Sequence, residues 1–181
     1  MKQKTLAVFN QIDAQKSDIL LLYDSLSPGK LQFKPGPDQW NLLQVLQHLI
    51  TAEQQSLAYI QRKLKAHENI PKAGLGSSAR HMLLKIALYL PIKFKAPKIA
   101  DVHEENPDFE QMKSEWAGIR SELQTLLENS DSKMLAKALY RHPRAGMLNL
   151  KQALEFFESH IAHHQKQIDR LIAANKQVDI Q

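Results

Sequence analysis

The stretch NLKQALEFFESHIAHHQKQIDRL, residues 149–171, decides how this chain folds. Leu150, Leu154, Phe157, Ile161, Ile168 and Leu171 recur at the steps of three, four and seven that one face of an α-helix needs. Asn149 can cap the helix start while Gln152, three residues on, reaches back as in a capping box. The run therefore predicts a long amphipathic helix, and it carries histidines at 160, 163 and 164. At about 100° per residue, His164 lies about 40° round from His160, and both fall in the band of Ala153, Phe157, Ile168 and Leu171. His163 falls outside that band, with Gln167. Two neutral imidazoles one turn apart on an inward face are a metal-ligand geometry. The same pair serves equally as hydrogen-bonded core or groove histidines, and the pair alone does not choose.

Three more segments have helical period. The first, residues 3–26, repeats Leu6, Phe9, Ile12, Ile19, Tyr23 and Leu26 before a turn rich in Pro and Gly at 28–37. The second starts at Asn41, with Gln44 as its capping partner, and runs to about Lys65. The third is expected to open with Asn106 as cap and Pro107 in its first position, then carries Phe109, Met112, Trp116, Ile119, Leu123 and Leu126. Almost nothing alternates with the period of two that strands show, so the fold class is all-α, a four-helix bundle. About forty residues separate helices two and three, far more than the ~2–8 of a simple hairpin link. They predict a long crossover with a short extra helix at Ser78–Leu90.

With 181 residues, 43% of them hydrophobic, residues 1–181 read as a single domain. Lys and Arg number 24 against 19 Asp and Glu, a net charge of +5 that permits nucleic acid without implying it. The positive residues are not interleaved with aromatics, and nucleic acid is not expected as a partner. Cysteine is absent, which fits a reducing cytoplasm and leaves histidines and carboxylates for any metal chemistry. The opening MKQKTLAVFNQ lacks the apolar run of a signal peptide, so the mature chain is expected to begin there. Met82–Leu90 is too short to span a membrane, and none is expected as a partner.

For a third ligand beside His160 and His164, His48 is the best candidate. On its own helical wheel it borders Val45, Ala52 and Tyr59, at the edge of the leucine stripe, where periodicity alone reads a surface histidine. No Glu precedes a His by three residues and no His-Glu-x-x-His occurs, which excludes ferritin-like di-iron chemistry and zincin chemistry. Glu53, inside the leucine stripe, reads as a structural ion-pair member rather than a catalytic base. Trp116, Phe156 and Phe157 read as packing.

The run Trp40 to Leu49, WNLLQVLQHL, resembles the tryptophan, helix start and first metal histidine of the DinB-like family. His142-Pro143-Arg144-Ala145-Gly146-Met147-Leu148-Asn149, followed by His160-x-x-x-His164-x-x-Gln167-Ile168, resembles the family's second half. The resemblance implies a DinB/YfiT-like bundle, often a homodimer, with one divalent metal ion on His48, His160 and His164. Asn41 and Gln44 stand where Ser and Glu are more usual, a change that preserves capping. Relatives include thiol S-transferases and thiol-dependent isomerases, and many have no known reaction.

Three neutral imidazoles leave open positions where water or a thiol can lose its proton, and they suit zinc, nickel or iron. The expected function is a metal-dependent thiol S-transferase or hydrolase acting on a small electrophile, its thiol supplied by a small cosubstrate. No catalytic residue is assigned. The alternative is a non-catalytic bundle kept for dimerisation or partner binding, its histidines empty or filled adventitiously. His142 and Arg144, with Arg141, could bind an anionic substrate, against the plainer reading of solvated loop charges. Lys72, Arg80, Lys85, Lys93, Lys95 and Lys98 form a basic run without an acid. That run reads either as a solvated lid, with Leu83, Leu84, Ile86, Leu88 and Leu90 closing one end of the bundle, or as a positive field steering an anionic small molecule.

Overall fold

Long helices with one apolar stripe can bury it only against one another, and the direction each helix takes follows from which residues then meet. The computed structural model describes residues 1–66, 69–90 and 107–178, with side chains through 175. In chain order these are α1 (Lys2–Asp24), α2 (Pro28–Gln32), α3 (Leu42–Ala66), α4 (Leu75–Tyr89), α5 (Phe109–Glu128), α6 (Ser132–Leu135), a hairpin of β1 (Tyr140–His142) and β2 (Gly146–Leu148), and α7 (Leu150–Val178). The four long helices close a ring in which α1 and α3 each touch both α5 and α7. Lys2 Nζ donates to the Glu128 carbonyl and Lys113 Nζ to Asp24, so α1 and α5 are antiparallel. Gln15 reaches the Glu158 carbonyl and Asn175 the Lys30 carbonyl, which makes α7 parallel to α1. α3 runs with α5, through Glu53 to Trp116 and Arg120 and Gln61 to Glu122.

That topology explains the crossover. Parallel α3 and α5 oblige the chain to travel back along the bundle between them, and α4, 15 residues long, supplies part of the return. It runs along the flank of α7, Ser77 bonding Gln152, His163 bonding the Leu88 carbonyl and Lys166 the Tyr89 carbonyl. The expectation that this segment's leucines close one end of the bundle is therefore corrected. Leu88 is buried and Leu84 half-buried, while Met82, Leu83, Ile86, Tyr89 and Leu90 are exposed on the outer face. Lys93, Lys95 and Lys98 lie outside the described residues, and Arg80 donates to the Ala145 carbonyl.

The capping predicted for the second and last helices is present. Asn41 Oδ1 accepts from the Gln44 amide at 2.8 Å while Gln44 Oε1 accepts from the Asn41 amide at 3.1 Å. Asn149 and Gln152 repeat the exchange at 2.9 and 3.0 Å. The third long helix is corrected. It begins at Phe109, where the Asp108 carboxylate accepts from the Gln111 amide at 2.7 Å, so Pro107 precedes the helix and Asn106 lies outside the described residues. The core runs through Tyr23, Leu46, Ile60, Trp116, Leu123 and Phe157. Glu53, within it, bonds Arg120 at 2.8 Å and the Trp116 indole at 3.0 Å, the ion-pair role expected. Burial raises its carboxyl pKa, outweighing the pull of Arg120.

Extended pairing among the described residues is confined to a two-stranded hairpin and an isolated antiparallel bridge between Lys72 and Lys137. Tyr140 pairs with Leu148 and His142 with Gly146 across the turn at 143–145. Gly146 has φ 68°, the left-handed conformation that lets a short turn rejoin its strand.

Candidate metal centre

Both helices that carry the candidate ligands start from a closed capping box, at Asn41 and Gln44 on α3 and at Asn149 and Gln152 on α7. His48 falls in the second turn of α3. There it is 4% exposed, against an expectation from periodicity of an edge position. The reason is that α3 packs against α7 as well as α5, which widens its buried band beyond the leucine stripe. His160 and His164 meet it from α7, with ring centroids 5.1 and 4.8 Å from the His48 ring and 4.7 Å from each other. One nitrogen from each of the three histidines lies within 4.8 Å of the others.

The donor set fits a divalent ion. Ligands ~2.0–2.1 Å from a shared ion sit about 2.8–3.4 Å apart at angles between octahedral and tetrahedral. His48 Nε2 and His160 Nε2 are 3.2 Å apart. A metal-ligating imidazole must be neutral, and here the surroundings enforce neutrality. Burial, then His164 and His48, hold His160 well below the usual imidazole range, and burial followed by His48 takes His164 down to about 3. Aromatic rings wall the group: Trp40 lies 5.2 Å from the His48 ring, and Phe156 stacks on His160 at 5.3 Å with planes 20° apart.

His163 is turned elsewhere, as its wheel position predicts. Its Nδ1–H donates to the Leu88 carbonyl at 2.9 Å, tying α4 to α7. Gln167 shares that polar side but was given no role by sequence reasoning. Its amide oxygen lies 2.9 Å from His164 Nδ1. The signal available was its spacing of three from His164, which puts the two side chains on adjacent turns.

His142 and Arg144 part company. His142 is buried, and its Nδ1 accepts the backbone amides of Arg144 and Ala145 at 3.2 and 3.1 Å, which places its proton on Nε2 and closes the hairpin turn. Burial, then the Arg144 and His81 charges, lowers its pKa to about 4. It meets Phe156 edge-on at 4.4 Å, so one aromatic ring intervenes between it and His160. Arg144, like Arg141, is exposed on the hairpin.

No helix among the described residues is long and apolar enough to cross a membrane. Comparison with curated proteins and with solved structures gave no significant match. A sequence profile of the DinB superfamily matches residues 11–168, which takes in all of α3 and α5, the greater part of α1 and α7, and all three clustered histidines. Bundle, histidine cluster and profile converge, and the chain belongs to the DinB superfamily.

Proposed function

We propose that this protein holds one divalent metal ion, zinc, nickel or iron, on His48, His160 and His164, and acts as a thiol S-transferase or hydrolase on a small electrophile. The observation that carries the reading is the meeting of three imidazoles from two helices, one nitrogen of each within 4.8 Å of the others. A bound ion would supply Lewis acidity, letting water or a thiol lose its proton near neutral pH. The chain's own residues provide the rest. Burial keeps His160 and His164 neutral, so their lone pairs are available. Three protein donors, rather than the four of a structural site, leave room for a small molecule. Trp40 and Phe156 screen the imidazoles from bulk water. The chain has no cysteine, so any thiol comes from a small cosubstrate. Arg144 offers positive charge to an anionic substrate, and His142 shapes the turn that presents it.

Elemental analysis of protein purified without chelator or affinity-tag histidines tests the reading, followed by a screen of thiol-transfer and hydrolytic reactions. One equivalent of metal is expected, lost in His160→Ala without unfolding and retained in His163→Ala. Metal loss in the His163 variant would mean that the wrong partner has been assigned. Wild-type protein without stoichiometric metal, inactive across the screen, would leave the non-catalytic bundle as the reading.

A further inference from the structure

A neutral imidazole carries one proton on either of two nitrogens, and only the bare nitrogen can bind a metal ion. At His164 the choice is visible. Nδ1 lies 2.9 Å from Gln167 Oε1, and an amide oxygen only accepts, so the proton sits on Nδ1 and the lone pair on Nε2. His48 and His160 meet each other through Nε2. With its Nδ1 engaged, His164 has the same nitrogen left for the group. We infer that Gln167 is a positioning residue: it fixes the tautomer of His164 and the rotation of its ring, so that Nε2 is presented to the other two imidazoles. The inference rests on the metal-binding reading for its consequence, not for its geometry.

Gln167 and His164 are three apart on one continuous helix, so their relation does not depend on the docking of another element. His164 is 9% exposed, which leaves little water to replace a lost amide partner. Removing the acceptor frees the ring to turn and the proton to move to Nε2, where it blocks ligation. Loss of an outer partner of this kind typically lowers metal affinity about 10–100-fold.

The test compares wild type, Gln167→Ala and Gln167→Glu by two measurements. Long-range proton–nitrogen NMR of the metal-free protein reads the His164 tautomer, and chelator competition with zinc ion alone reads affinity. Wild type and Gln167→Glu, which keeps an acceptor, are expected to hold the proton on Nδ1 and bind zinc at least equally well. Gln167→Ala is expected to lose that tautomer and about 10–100-fold in affinity. Should the alanine variant melt early, Gln167→Met removes the acceptor while keeping the side-chain length. Unchanged tautomer and affinity without the acceptor would overturn the inference. So would a wild-type His164 that carries its proton on Nε2, since the amide nitrogen would then be the group facing Nδ1. If wild type binds no zinc, the metal reading fails, and the tautomer measurement still decides the role of Gln167.

Discussion

Buried against Phe156 and accepting two turn amides through Nδ1, His142 cannot take a proton there without giving up both bonds. Its pKa falls from the ordinary 6.5 to about 4 in the fold. A histidine with a depressed folded value gives stability that is present above its unfolded pKa and is lost as pH falls through the folded one. In metal-free protein, urea-unfolding free energy should therefore decline between pH 6.5 and 4, by up to roughly 1.4 kcal/mol per pH unit for each such group. His160 and His164 add to it with the same sign. His142→Asn should flatten that slope; a parallel slope would remove His142 from the acid response. At this scale the helical wheel separated His164 from His163, because inward and outward faces differ by a large angle. It misplaced His48, since a wheel does not know how many neighbours a helix has. Gln167 was legible as a member of the family-like run and by its spacing of three from His164, but the bond itself was not, because spacing does not say which polar neighbour a buried ring takes.

Between elements, α3 and α5 are joined by the buried pair of Glu53 and Arg120. Arg120 already has Nε and Nη1 buried without a hydrogen-bond partner among the described residues. Glu53→Ala would leave the whole guanidinium uncompensated and should destabilise by about 3–5 kcal/mol, measured by urea unfolding. Exchanging Glu53 and Arg120 together for Leu and Met should recover most of that loss. A single-variant loss below ~1 kcal/mol would show that water reaches the pair. In the hairpin, Gly146→Ala forces a side chain into a left-handed conformation and should cost about 1–2 kcal/mol. The added Cβ would sit 3.6 Å from Arg80 Nε, ordinary contact, so the penalty is conformational rather than steric. The two capping boxes could be read in the sequence because each needs only two residues at fixed spacing. The strands could not, since three residues are too few to display an alternation. The start of α5 was misread because Asp108 and Asn106 are both good caps, and Asp108 is the one that reaches the Gln111 amide.

For the molecule as a whole, the four-helix architecture followed from periodicity, and the long crossover from the length between helices two and three. The route of α4 along α7 did not follow, because an amphipathic helix does not state which partner receives its face. The homodimer suggested by resemblance remains a proposal; sedimentation velocity at micromolar concentration is expected to give twice the chain's 20.7 kDa, and a monomer would overturn it. A last consequence concerns chain connectivity. His48 and His160 are 112 residues apart in sequence and 3.2 Å apart in space, in a chain whose lack of cysteine denies it a disulfide. An ion shared between them would serve as a reversible cross-link, closing a loop that in covalent form is worth about 4–5 kcal/mol against the unfolded chain. Folding and metal uptake would then be one equilibrium, with stability rising by ~2.7 kcal/mol at free zinc a hundred times its dissociation constant. The melting temperature should climb with added zinc and drop on chelation; a melt indifferent to both would mean that no ion bridges the two helices.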